Sequence, residues 1–199
     1  NGRTTVAYVC DERRQALVEA RKNFKLGNRF DVARNEVLFA NKALLTEGFG
    51  DKVAALIVAD KLGFDLDAEG VAVVDCGGKA GIELVIRVCQ ALQIPFVVLH
   101  DEDVWPLNDI DDLKKREKQK HENEDEQRKN RRIKDIVGMD DLIYIISPSL
   151  EAALGIGRDA HDKPRRVAEA MEKVDIQNPP HELAPLILAV KSLISITNK

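Results

Sequence analysis

The chain has 199 residues, 44% of them hydrophobic and 32% charged, with a formal net charge of -4, which suits one α/β domain with an appendage better than two complete domains. No apolar run approaches the ~20 residues a membrane helix needs and no charged-apolar-small leader opens the chain, so a soluble, cytoplasmic protein without membrane association is expected. The acidic balance excludes holding nucleic acid by bulk electrostatics alone, because counterion release needs clustered Lys and Arg; it is compatible with a nuclease whose metal ligands themselves lower the charge.

Residues 3–10 read as a lone β-rich piece and residues 11–25 as a charged helix anchored by Leu17, Val18 and Phe24, ended by Gly27 and Asn28. Residues 1–34 are therefore expected to be a strand and helix connector. Residues 43–46 form a short apolar run that ends at Glu47-Gly48-Phe49-Gly50, after which Asp51 opens a helix carrying Val53, Leu56, Ile57 and Leu62 to a stop at Gly63. The unit repeats in the apolar run 71–74, the turn Cys76-Gly77-Gly78-Lys79, and a helical stripe of Ile82, Val85, Ile86, Cys89 and Leu92. A third run, 96–99, leads into His100-Asp101-Glu102-Asp103. Apolar strands alternating with helices predict an α/β fold with a parallel sheet covered on both faces. Ligands gather beyond the carboxyl ends of such strands, where Glu47, the Gly77-Gly78 turn and Asp101 are placed.

Residues 108–136 are almost wholly polar, with Leu113 the one large apolar residue between Ile110 and Ile133. Such a stretch predicts a protruding, solvated helical insertion, as one arm or an antiparallel pair, laced by i,i+4 ion pairs, with phosphate tracking by its Lys and Arg residues the minority reading. Residues 142–146 are a fourth strand, after which Ser149 can cap a short helix. Helices follow at about 164–174, with Pro164 in the first turn, and at 183–196 after the Pro179-Pro180 break. Cys10, Cys76 and Cys89 are odd in number and lack CxxC spacing, which indicates buried thiols rather than disulfides or zinc ligands.

The chemistry is carried by acids at strand ends. Glu47 after the first strand, Asp51 four residues on, and Asp101 with Asp103 after the third strand would bring four carboxylates to one sheet edge. Uncompensated they repel, and an oxygen-rich anionic cluster suits Mg²⁺ or Mn²⁺. Asp101-Glu102-Asp103 taken alone is equally an acidic turn.

The order Asn35-Glu36-Val37-Leu38-Phe39-Ala40, Leu44-Leu45-Thr46-Glu47-Gly48-Phe49-Gly50-Asp51, Gly77-Gly78-Lys79 and Leu99-His100-Asp101-Glu102-Asp103 resembles the Toprim domain of the OLD (overcoming lysogenization defect) family of nucleases, over residues 35–151. The resemblance implies a Toprim core at 35–107 and 137–157, interrupted by the insertion at 108–136 and followed by a basic segment and helices at 158–199. It implies a DNA endonuclease or nickase using two ions, Mg²⁺ or Mn²⁺, one activating water and the other stabilising the leaving oxygen. Glu47 and Asp51 would stand on one side of the metal cluster, Asp103 on the other, with Asp101 bridging. Glu151 would add a ligand, although it is equally a first-turn helix carboxylate. Glu47, Asp101 and Lys163 would be the catalytic residues, Lys163 offsetting phosphate charge unless it is a plain surface lysine. Gly77, Gly78 and Lys79 would bind substrate, the glycines letting the backbone approach the metal site or the substrate phosphate, although a simple strand-to-helix turn also explains the two glycines. Family members join this region to an upstream ABC-type ATPase, so DNA, such an ATPase in the same polypeptide, and a homodimer through it are the expected partners. The competing reading is a nonenzymatic Toprim module that recruits nucleic acid. Primase or topoisomerase chemistry is disfavoured because Tyr8 and Tyr144 are not placed as exposed nucleophiles and no zinc-ribbon cysteines occur. No GxGxxG or Walker A lysine motif supports nucleotide hydrolysis. His100 reads as structural, and Trp105 beside Pro106 as a seal at the start of the charged arm, with base stacking the weaker alternative.

Overall fold

Runs of aliphatic residues pair side by side as four short strands: β1 (Lys42–Thr46), β2 (Val71–Asp75), β3 (Phe96–Asp101) and β4 (Ile143–Ile146). The computed structural model describes residues 36–108 and 110–196; the expected connector at 1–34, with Cys10, lies outside them. The sheet is parallel throughout, in the order β2-β1-β3-β4. In register, Leu45 stands beside Val74 on one side and Val98 on the other.

Alternation along the strands divides the interior in two. Leu44, Val73, Val97 and Leu99 point to one face, where they meet α1 (Phe49–Lys61), α5 (Lys163–Met171) and α6 (Ala184–Ser195) through Ala54, Val58, Val167, Met171, Leu186 and Val190. Ala43, Leu45, Val74 and Val98 point to the other, against Ile82, Val85, Ile86 and Cys89 of α2 (Lys79–Leu92) and Ile133 and Val137 of α3 (Leu113–Val137). Both C-terminal helices thus complete the first of these cores. Cys76 and Cys89 are buried, and burial pushes the Cys89 thiol up to about 12, which leaves it inert.

The turn from β2 into α2 is where glycine is required. Gly78 has φ 106, and a Cβ on Gly81 would stand 1.8 Å from the carbonyl oxygen of Cys76, so the helix can lie against the strand end only without a side chain there. Gly81→Ala is expected to cost about 3 kcal/mol, the upper part of the overpacking range, read as a drop in the urea midpoint at constant slope. The control is Gly157→Ala, whose added Cβ meets nothing within 4 Å and should leave the midpoint nearly unchanged; equal midpoints for the two variants would contradict the packing described.

The charged insertion takes the first of its two expected forms, one arm, and departs from expectation only in its inner face. It is a single helix, α3, capped at its start by the Asp112 side chain accepting from the N–H groups of Lys114 and Lys115, and ended by Gly138 at φ 72. Rather than standing wholly in solvent it lies against α2, with Gln119, Asn123, Ile133 and Val137 buried. A polar stripe can be buried when each donor and acceptor is matched, and these are: Gln119 donates to Asn123, and Asn123 exchanges two hydrogen bonds with the main chain of Trp105. Its outer face carries the expected ion pairs, such as Lys118 with Glu122 at 3.5 Å and Arg128 with Asp125; exposed pairs of this kind add little stability.

Candidate active site

The chain leaves β1 for a crossover to β2 on one side and later returns to β3 on the other, so a crevice opens where β1 and β3 lie adjacent. Glu47 emerges from β1 and Asp101 ends β3 at this point, and the Asp101 N–H donates to Glu47 Oε2 at 3.3 Å. Asp51, in the first turn of α1, accepts from the Gly48 N–H at 2.8 Å, folding its carboxylate back over the turn. Asp101 Oδ1 accepts from the Leu150 N–H at 2.9 Å, the first residue of the short helix α4 (Leu150–Ala153), whose Ser149 cap accepts from the Ala152 N–H at 3.2 Å. Asp103 is left-handed at φ 58, a conformation Asp tolerates better than most, and its N–H donates to the Pro148 carbonyl at 2.8 Å. Thr46, fully buried, donates its hydroxyl to the Val74 carbonyl at 3.1 Å.

Glu47, Asp51, Asp101, Asp103, Glu151 and Lys163 line one cavity of about 640 Å³. Burial of these acids is costly. It pushes the Glu47 carboxyl to about 8, with Asp103 and Asp51 adding to the rise and Lys79 opposing it. It pushes Asp51 to about 7, with Glu151 and Asp103 contributing, and Asp101 to about 9, reinforced by Asp51 and Glu47. The protein's own cations therefore do not neutralise the cluster, and that deficit of positive charge is what a divalent ion supplies. Among the described residues no three or more His, Cys, Asp and Glu side chains stand together as a ready-made metal cage. Mg²⁺ does not ask for one: it keeps several waters and takes one or two carboxylates plus substrate oxygen. On charge and donor type, the acids of this cavity fit such an ion.

The expected phosphate-binding turn is placed differently. Gly77, Gly78 and Lys79 do not line the cavity. The Gly78 N–H donates to the Glu47 carbonyl at 2.7 Å and the Gly77 N–H to Asp75 Oδ1 at 2.9 Å, so the turn braces the main chain beneath Glu47. The Lys79 side chain is 2% exposed; its ammonium donates to Asp103 at 2.8 Å and Glu126 at 2.7 Å and to the Glu102 carbonyl at 3.3 Å. Burial would lower its pKa, but Glu47, Asp103 and Glu126 outweigh that and raise it, so Lys79 is a fixed internal cation. Glu126 comes from α3, and its neighbour Asn130 donates to the Glu102 carbonyl at 2.8 Å. Lys163 lies 3.6 Å from Glu151. His100 is fully buried and neutral, pushed down to about 4 by burial, with Nδ1 on the Asp101 carbonyl at 2.8 Å.

Sequence reasoning did not place Arg158, Asp159 and Ser149 in the cavity, and gave Trp105 a part in base stacking only as the weaker alternative. Only their proximity in space marks them, since none shares a motif with the acids.

Residues 38–103 match a family model described as "Overcoming lysogenization defect protein-like, TOPRIM domain". An OLD nuclease of Thermus scotoductus (strain ATCC 700910 / SA-01) is 56% identical over 191 residues, which make up 96% of this chain and 36% of that protein. The chain thus spans about a third of the length of that relative. Among solved structures, the C-terminal region of the Burkholderia pseudomallei OLD protein superposes with a TM-score of 0.53 at 15% identity, covering 79% of this chain and 100% of that one. At that identity the likeness speaks to the fold.

Proposed function

The chain belongs to the OLD family as its Toprim region, and from that premise we propose that it is the cleaving part of a DNA nuclease dependent on two divalent ions, Mg²⁺ or Mn²⁺. The observation that carries the reading is the convergence of Glu47, Asp51, Asp101, Asp103 and Glu151, from separate strand ends and helix starts, on one cavity. When bound, the ions would supply Lewis-acid polarisation of the phosphodiester and an activated water.

The protein's own groups do the rest. Glu47 and Asp51 hold one side of the cluster and Asp103 the other, with Asp101 between them, aimed by the Leu150 N–H; Glu151 adds a donor from the start of α4. Lys163, beside Glu151 at the cavity wall, offsets charge on the phosphate as the transition state forms. Lys79 acts from behind Asp103, holding that carboxylate in place, and the Gly77-Gly78 turn positions Glu47. Three carboxyls that hold protons near neutrality must release them as cations enter.

Cytoplasmic localisation, DNA as substrate, an upstream ABC-type ATPase in the same polypeptide and a homodimer through it belong to the same proposal; among the described residues no helix is long and apolar enough to cross a membrane. The test is conversion of supercoiled plasmid to nicked and linear forms with Mg²⁺ or Mn²⁺, abolished by EDTA and by substitution of Asp101. Equal conversion by the wild type and the Asp101 variant would overturn the assignment.

A further inference from the structure

Arg158 is held in a way that the metal cluster does not explain. Six carboxylates line its cavity, those of Glu47, Asp51, Asp101, Asp103, Glu151 and Asp159. Lys163, the other cation on that wall, is paired with Glu151. Arg158 is not paired with any of them: among the described residues its guanidinium contacts the Trp105 ring, 4.3 Å from the centroid, and the Gln119 amide oxygen at 3.4 Å. Stacking on an indole fixes a guanidinium without consuming its N–H donors.

The seat is itself built. Trp105 donates its main-chain N–H to Asn123 Oδ1 at 3.0 Å and accepts at its carbonyl from Asn123 Nδ2 at 2.7 Å. Gln119 is tied to the same Asn123 oxygen at 3.0 Å and passes its own oxygen to Arg158. Both amides are buried on α3, 9% and 8% exposed. The inner face of this helix spends its polar residues on fixing one loop and one arginine at the mouth of the site. A planar, donor-rich cation held in place and left without a protein anion is set to receive an anion from outside, and a phosphodiester matches the guanidinium fork.

We propose that Arg158, seated on Trp105, binds a backbone phosphate of the DNA strand next to the one that is cleaved, and that α3 sets the position of that strand through Gln119 and Asn123. This deepens the nuclease reading and rests on it. Arg158 then decides how the substrate is held and contributes to KM more than to kcat.

Trp105 is the one tryptophan of the chain, so its fluorescence reports occupancy of this subsite directly. A short single-stranded oligonucleotide titrated into the protein with Ca²⁺ present is expected to change that fluorescence saturably. Arg158→Gln should weaken binding about tenfold and reduce the slope of log K against log salt by about 0.7, the value for one phosphate contact on a single strand. Arg158→Lys should keep the slope and lose part of the affinity, and it answers the same question if the glutamine variant does not fold. Calorimetric Mn²⁺ uptake, run in parallel, should be the same in the wild type and both variants. A silent Trp105, or unchanged affinity and slope in Arg158→Gln, would overturn the subsite whether or not metal binds. Loss of affinity in that variant together with no Mn²⁺ uptake by the wild type would uphold the subsite and sink the two-metal reading instead.

Discussion

Asp101→Asn is expected to lower plasmid cleavage by about three orders of magnitude or more, the scale of losing a group that acts on the reacting centre, while making the metal-free protein more stable at pH 8. The opposition follows from the site. The folded protein raises the Asp101 carboxyl to about 9, first by burial and then by the charge of Asp51, against about 3.9 in an unfolded chain. A raised folded-state value means that the folded state binds the proton more tightly. The stability this provides is fully present below the unfolded value and is lost as pH rises through about 9. Asparagine keeps an oxygen for the Leu150 N–H and carries no charge to bury. Calorimetry in EDTA should therefore show the variant melting on the order of 5 °C higher at pH 8, with a much smaller difference near pH 4. A variant that lost both activity and stability at pH 8 would show that Asp101 holds the fold together rather than being strained by it.

Lys79→Met is expected to be the most destabilising single change at the site, by about 3–5 kcal/mol, the usual cost of removing one partner from a buried ion pair. The ammonium has side-chain exposure of 2%, and its partners Asp103 and Glu126 have 32% and 20%, so methionine strands two half-buried carboxylates beside an already acidic cluster. Glu126→Gln should cost much less, because Lys79 retains Asp103 and the Glu102 carbonyl. The double variant should recover part of the loss, a coupling that a double-mutant cycle in urea measures. Mn²⁺ should also restore part of it, since a bound cation offsets the charge that methionine leaves uncompensated. A loss below about 1 kcal/mol, or one indifferent to both Glu126→Gln and Mn²⁺, would contradict the role of Lys79 as the internal counterion.

The sheet and the order of acids along the chain were legible because both are local patterns. Uninterrupted apolar runs identify strands buried on both faces, and an acid just past such a run, as at Glu47 and Asp101, must lie at the carboxyl edge. What could not be read was the inner face of α3. Gln119, Asn123, Glu126 and Asn130 look like solvent residues, and burial rules keyed to hydrophobicity place them outside; each is held inside or at the margin by a specific partner, Gln119 by Asn123 on the same helix, Asn123 by the main chain of Trp105, Glu126 by Lys79 of α2 and Asn130 by the Glu102 carbonyl. The direction of Lys79 was equally illegible: its side chain turns inward because two carboxylates and a carbonyl converge on it. The pairing of Arg158 with Trp105 is a contact across 53 positions of chain, beyond any spacing rule.

Titration of the metal-free protein with Mn²⁺, followed by calorimetry in two buffers of different ionisation enthalpy, tests most directly whether these acids share divalent cations. With Glu47, Asp51 and Asp101 raised to between about 7 and 9, binding at pH 7 should be saturable at about two ions and should expel protons, and affinity should climb as pH rises through that interval because fewer protons remain to be displaced. No uptake, or uptake that releases no proton and ignores pH, would contradict it.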